Sequence, residues 1–250
     1  MTAQIGTVRL EEYFALFLPG PTTLLVVTPL AVVYALAVSL LVGRLRQVRG
    51  VRAPYTRKLF HFAVFTMATA VQLGWGVPGV VVFGTILSVF VVYAVLRGDG
   101  FPLYEALARP SDSPHRSLFI VIPLVTTALG GVLSNVLFLR YAYIGYLVCG
   151  WGDAVGEPVG TRWGRHRYRV PSLGGVRATR SLEGSAGVLV VGSTAAFIGM
   201  LAGGFAATEA ASAALAAGVV GAAIEAVSTH GLDNLTVQLA ASAAAFVAVN

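Results

Sequence analysis

Charge is what this 250-residue chain has least of. Asp, Glu, Lys and Arg together make up 11% of it, against about 25% in a typical soluble domain. Hydrophobic residues reach 56% and the mean hydropathy is +0.79, so a bilayer is the better solvent. Lysine is reduced to Lys58. Cysteine is reduced to Cys149, inside a predicted helix, which excludes a disulfide framework and leaves the compartment unread from thiols. Cys/His metal spacings, a Ser-His-Asp arrangement, a Walker A loop and a dinucleotide fingerprint are all missing. The N-terminus does not read as a cleavable signal: its apolar run is too long, and Glu11 and Glu12 stand where positive charge would be expected. There is no internal repeat and no soluble accessory domain, so residues 1–250 read as one transmembrane domain.

What is present is apolar length. Residues 13–43, 59–96, 117–139 and 184–208 contain no Asp, Glu, Lys or Arg. A spanning helix needs roughly 20 apolar residues, so the second run is long enough for two. Gly74-Trp75-Gly76-Val77-Pro78-Gly79 at its middle predicts a hairpin turn. Three weaker spans follow. Residues 141–152 cross only if Asp153 and Glu157 lie within the membrane boundary. Residues 210–224 are rich in Ala and Gly, which suits close helix packing. Residues 235–249 run to the C-terminus. The expectation is an all-α polytopic integral membrane protein of about eight helices, or seven if the short span does not cross.

Eight helices put 15 of 17 basic residues on one face, in the loops around 44–58, 97–116 and 160–182, leaving Arg9 and Arg140 opposite. The positive-inside rule makes that face cytoplasmic, in a cytoplasmic membrane, with both termini outside. The net charge of +6 then reads either as topology beside anionic headgroups or as a basic mouth for an anionic, water-soluble substrate. Nucleic acid is an unlikely partner, because the loops are short and belong to a membrane core.

Chemistry concentrates between Gly152 and Ser185. Asp153 and Glu157 are four apart and share one helix face. They repel each other at a depth where charge is expensive, so a divalent cation, an Arg or a proton should compensate. Simple solvation of a helix end is the plainer explanation; a metal or metal-nucleotide role for both carboxylates is favoured. Gly156, Gly160 and Gly164 would let backbone approach a ligand closely, and Arg162 and Arg165 offer planar forks for phosphate oxygens. Gly174-Gly175 would make the loop mobile. Ser181 caps the next helix, with the amides near Gly184 and Ser185 open to an anion; a plain cap explains the serines equally but not Glu183, a third carboxylate. Arg57 and Lys58 either anchor the second span or reach phosphate, with His61 one turn on orienting a hydroxyl. Glu225 and the His230–Asn234 stretch fall on the same face as Asp153, where Asp233 and Asn234 open the last helix.

The Arg57-Lys58-x-x-His61 start, the Gly152-Asp153…Gly160-x-x-x-Gly164 stretch, Ser181-x-Glu183-Gly184-Ser185 and Asp233-Asn234-Leu235-Thr236-Val237 together resemble the phytol kinase and dolichol kinase family. These are polytopic membrane enzymes that phosphorylate isoprenoid alcohols, generally with CTP. The resemblance runs from about Arg57 onward and implies a cytoplasmic nucleotide-binding region over 153–185. It implies Asp153 as metal ligand or base, with Mg²⁺, and Glu157 and Glu183 in support. Arg162, Arg165 and Arg180 would clamp phosphates. Two departures keep the charge: Arg180 stands where the family often has Lys, and residues 167–179 carry Arg rather than Lys. The related phosphatidate cytidylyltransferases also use CTP at a membrane, but of their C-terminal signature the His230-Gly231-Leu232-Asp233 segment holds only a faint echo. A transporter is the third reading, and it would put charges near helix midpoints.

Overall fold

The computed structural model describes residues 15–172, 178–229 and 231–250. Arg9, Glu11, Glu12, Gly174-Gly175, Arg177 and His230 lie outside the described residues. Helix α1 (Pro21–Gln47) starts at a proline, whose fixed φ suits the first helical turn. It continues past the apolar run through Arg44 and Arg46, since charge at a helix end does not stop propagation. Helix α2 (Ala53–Arg97) is 45 residues long and breaks at Gly76, where φ is 66°. That break reverses the chain. Val71 lies against Gly79, and Tyr34 on α1 reaches both limbs, donating to Ala63 O at 2.9 Å and setting its ring 6.1 Å from Phe83. The expected hairpin at 74–79 is therefore present, with positive φ supplied by a glycine.

After a short helix α3 (Pro102–Leu107), helix α4 (Leu118–Phe138) ends at Leu139, and a 3₁₀ turn (Leu139–Tyr141) leads into the next helical stretch. That stretch differs from expectation. Helix α5 (Ala142–Leu147) does not end at Gly152; it passes through a π-turn (Val148–Gly152) directly into α6 (Asp153–Trp163). Asp153 and Glu157 thus lie a turn apart on a continuous helix, as their spacing predicts. The following segment is not a plain loop. Strands β1 (Arg167–Val170) and β2 (Ala178–Ser181) pair antiparallel, with Arg167 opposite Ser181 and Val170 opposite Ala178. Alternation of charged and apolar residues in Arg-Tyr-Arg-Val is the period a strand requires. Helices α7 (Leu182–Ala202), α8 (Ala207–Val227) and α9 (Asp233–Val249) complete the chain.

Among the described residues, five helical stretches are long and apolar enough to cross a membrane: 21–47, 53–97, 118–163, 182–202 and 207–227. The second and third, of 45 and 46 residues, are each broken near their middle, and the 17-residue α9 is shorter. Counted by limbs, the described residues hold eight apolar segments in an all-α integral membrane protein with one small hairpin. Its surface carries large side chains such as Leu25, Val190, Leu215 and Val247, while its interior takes small and polar ones such as Ala196, Ala217, Ser134 and Gln238. Lipid is as apolar as leucine, so close approach of small residues, not burial of large ones, holds such helices together.

The tightest approach joins α6 to α7. Gly152, Gly156 and Gly160, spaced by four, all face the start of α7. A Cβ on Gly184 would stand 2.9 Å from Gly156 O, and one on Gly160 would stand 2.8 Å from Ser181 Oγ. The glycines read from sequence as room for a ligand are thus first of all room for a helix. At the neighbouring Gly187, a Cβ would meet Val159 no closer than 3.5 Å, an ordinary contact. Gly184→Val should therefore destabilise the protein by about 1–3 kcal/mol through overpacking, whereas Gly187→Ala should be neutral or gain up to about 1 kcal/mol. Thermal unfolding in detergent measures both, and equal effects would refute the close-packed α6–α7 seam.

Candidate active site

Two ion clusters face one another at one end of the bundle. The first is built around Lys58, near the start of α2. Its Nζ lies 2.6 Å from Asp153 Oδ2 and 3.0 Å from Glu157 Oε2, with the lysine side chain 8% exposed. The compensation that two carboxylates a turn apart require is thus supplied by the chain's single lysine. Arg109, in the connection between α3 and α4, stands 3.7 Å from Glu157 through Nη1 and donates from Nε to the buried Asp112 at 3.0 Å. His61, one turn along α2 from Arg57, places Nε2 3.5 Å from Asp153 Oδ2. Arg57 itself is less committed: its buried Nη1 has no hydrogen-bond partner among the described residues.

The second cluster is built around Arg180, the last residue but one of β2. It is ion-paired to Glu225, near the end of α8, and to Asp233 at 3.1 Å, the first residue of α9. Ser185 donates to Glu225 at 3.4 Å and lies 3.3 Å from the Tyr168 hydroxyl. The structure therefore brings Glu225 and Asp233 to the same end as Asp153, through an arginine between them. Asn234 turns inward, donating to Thr127 Oγ1 at 2.8 Å.

The connection carrying Arg109 is itself pinned. Arg116 spans Asp99 at 2.6 Å and Glu105 at 2.9 Å. Burial opposes the charge on Glu105, but the Gly100 amide and Arg116 outweigh it and hold that carboxyl below its ordinary range.

Between the clusters lies a charged cavity of about 270 Å³. Arg57, Lys58, Arg109, Arg167 and Arg180 line it, and so do five carboxylates: the four of the two clusters and Asp112. Thr161 of α6 and Val170 and Thr179 of the hairpin also line it. A second cavity of about 90 Å³ adjoins it and is almost wholly apolar, walled by Phe60, Val64, Leu87, Val91, Leu107 and Ile120. Arg57 lines both. His61, Thr127 and Asn234 are the other polar groups of the apolar slot, and His61 connects it to Asp153. A charged cleft and an apolar slot that meet at a histidine–carboxylate contact can bring a water-soluble anion and a lipid together.

Several residues expected at the site lie elsewhere. Arg162 stacks on Trp163, with 5.4 Å between its guanidinium carbon and the ring centroid, and neither Arg162 nor Arg165 lines the charged cavity. Glu183 pairs with His166 at 2.8 Å, outside the cavity. Gly164 is packed against Ser181 rather than the cavity. Ser181 caps α7 as expected, but it does so by accepting from the Gly184 amide at 3.1 Å, so that amide is already engaged. Gly160, Gly184 and Ser185 do line the cavity. Arg109, Asp112 and Arg167 were not singled out. The only local signal for the first two is an Arg and an Asp three apart around Pro110 in a short connection.

Among the described residues no three His, Cys, Asp or Glu side chains converge as a metal site. Mg²⁺, however, is held by one or two carboxylates together with substrate phosphates and water. Asp153 and Glu157 provide hard oxygen donors of that kind at the cavity wall, and both ion pairs of Asp153 run through Oδ2. The donor set fits that ion.

No protein-family model matches the chain, and no solved structure matches it. Among curated proteins it is similar to the phytol kinase of Synechocystis sp. (strain ATCC 27184 / PCC 6803 / Kazusa). The two are 31% identical over 226 residues, covering 88% of this chain and 91% of that protein.

The Lys58 contacts generate a stability prediction. Removing one partner of a buried ion pair leaves the other uncompensated and costs about 3–5 kcal/mol. Lys58→Met should therefore lower thermal stability sharply, because Asp153 and Glu157 are left facing each other. Adding Asp153→Asn to that variant should recover part of the loss. A double variant no more stable than Lys58→Met alone would show that the two groups are not energetically coupled.

Proposed function

This chain belongs to the phytol kinase family, and on that premise we propose that it transfers the γ-phosphoryl group of CTP to the hydroxyl of an isoprenoid alcohol held in the membrane. The observation that carries this reading is the junction of the charged cavity with the apolar slot at Arg57, His61 and Asp153. Phosphoryl transfer demands positioning and charge neutralisation rather than elaborate covalent chemistry, and the junction supplies both.

The triphosphate lies in the charged cavity, where, among the described residues, Arg57 and Arg167 are the cations outside the two carboxylate clusters and Lys58 and Arg109 are shared with carboxylates. The alcohol enters from the lipid and presents its oxygen at the head of the slot. That oxygen attacks the γ-phosphorus, forming the new O–P bond as the bond to the β-phosphate oxygen breaks, and leaves a lipid monophosphate and CDP. His61 takes up the hydroxyl proton, and Asp153, 3.5 Å from its Nε2, offsets the charge the ring then carries. Asp153 and Glu157 would hold Mg²⁺, which when bound would neutralise charge on the polyphosphate. Arg180, flanked by Glu225 and Asp233, ties the far wall together rather than clamping phosphate.

The product separates this reaction from cytidylyl transfer. Label from γ-³²P-CTP should enter the lipid when purified protein is incubated with a prenol, whereas label from α-³²P-CTP should not. Incorporation of the α label with release of pyrophosphate would replace the kinase with a cytidylyltransferase. In the same assay, Asp153→Asn should lower kcat about 100-fold or more while the protein still unfolds cooperatively. Full activity in that variant would remove Asp153 from the mechanism.

The same reading places the site end of the bundle on the cytoplasmic side, following the basic connections, with both termini outside. In a Cys149→Ala background, a cysteine at Ser172 should be labelled only from the cytoplasm and one at Thr2 only from outside. Labelling of both from one side would exclude this topology.

A further inference from the structure

The apolar slot is too small for a chain. Its volume is about 90 Å³, whereas an apolar protein cavity of about 150 Å³ accommodates one benzene ring. Scaled on that basis, the slot holds about four carbon atoms, close to a single branched isoprene unit. Two buried polar atoms of the residues that line it have no hydrogen-bond partner among the described residues: Arg57 Nη1 and His61 Nε2, the latter 3.5 Å from Asp153 Oδ2. Thr127 and Asn234 are already bonded to each other. One hydroxyl at one end of a short apolar body is the ligand these features describe.

The slot lies next to the lipid-facing surface. Its outer wall is α4, whose Pro123 and Leu124 are half-buried at the rim, while the next residue, Val125, is 48% exposed on the apolar surface of the bundle. Its inner wall is the second limb of α2, through Leu87 and Val91. A tail longer than the slot would pass Leu124 toward the bilayer, where it would meet hydrocarbon rather than protein.

Building on the reading as an isoprenoid alcohol kinase, we propose that the slot between the second limb of α2 and α4 admits only the hydroxyl-bearing isoprene unit of the acceptor. The enzyme then selects alcohols by that first unit and leaves chain length unread. Val91 and Leu124 set what fits. A site that gripped the whole tail would pack it closely along its length and so distinguish tails that fit from tails that do not, so the two arrangements differ in a measurable quantity.

The test compares geraniol, farnesol and geranylgeraniol at equal mole fraction in nanodiscs containing the full chain. Wild-type kcat/KM should agree within about threefold across the series. Val91→Phe, which fills the slot, should raise KM for all three alcohols at least tenfold and by the same factor, with the KM for CTP within twofold of wild type. Leu124→Phe, at the half-buried rim on the other wall, provides the same readout should Val91→Phe not fold. A kcat/KM that differs about tenfold or more between any two of the three alcohols would overturn the proposal, and so would an unchanged alcohol KM in the folded variants. Wild-type protein that phosphorylates none of the prenols would instead overturn the reading as an isoprenoid alcohol kinase, on which the proposal rests.

Discussion

The bridging of Asp153 and Glu157 by Lys58 is the contact on which the site depends. Two carboxylates a turn apart on a helix inside a membrane protein repel each other in surroundings that screen charge poorly. Without a cation between them the helix carrying them would have no stable place against α2. The lysine resolves this by joining α2 to α6, and its position fixes the rest. Arg109 follows from Glu157, Asp112 follows from Arg109, and His61 is held beside Asp153 one turn along the same helix. A buried pair of this kind is not itself a source of great stability. Its effect is on geometry: a few permitted arrangements instead of many.

Opposite it, Arg180 gathers Glu225 and Asp233, so that the ends of three helices, α7, α8 and α9, converge on one side chain. The two clusters would be far apart without the glycine seam between α6 and α7. Because Gly156, Gly160 and Gly184 carry no side chains, the helix bearing Asp153 and the helix following Arg180 approach closely. The charged cavity is the space left between the clusters, and among the described residues five cations and five carboxylates line it. On the proposed reading an entering polyphosphate would bring the charge that unbalances it. That differs from a simple basic mouth, and the site's cations would be positioned before any nucleotide arrives.

Much of this was legible in the sequence, and for identifiable reasons. Charge-free runs long enough to span, a Gly-Trp-Gly-Val-Pro-Gly interruption and a cap at Ser181 are local signals, and local energetics decide them. The spacing of Asp153 and Glu157, and the need for a compensating charge, also follow from helix geometry alone. The identity of that charge does not. Lys58 is 95 positions away in the chain, and from sequence it reads either as an interfacial anchor or as a phosphate contact. Arg162 and Arg165 resembled phosphate ligands equally well, until stacking on Trp163 and the direction of α6 carried them off the cavity.

Hydropathy and periodicity decide how many apolar segments this chain can form, where most of them start, and that its chemistry sits at their ends, because each of these depends on residues within one or two helical turns. Which side chains share a cavity depends on how helices far apart in sequence cross. A glycine at Gly156 reads identically whether it makes room for a ligand or for another helix. Only the packed bundle distinguishes the two, since the crossing is set by the sum of many small contacts and by ion pairs between residues from different spans. The apolar slot beside Arg57 has no sequence signature at all. It is the gap left where the α2 hairpin, α3, α4 and α9 fail to close on one another.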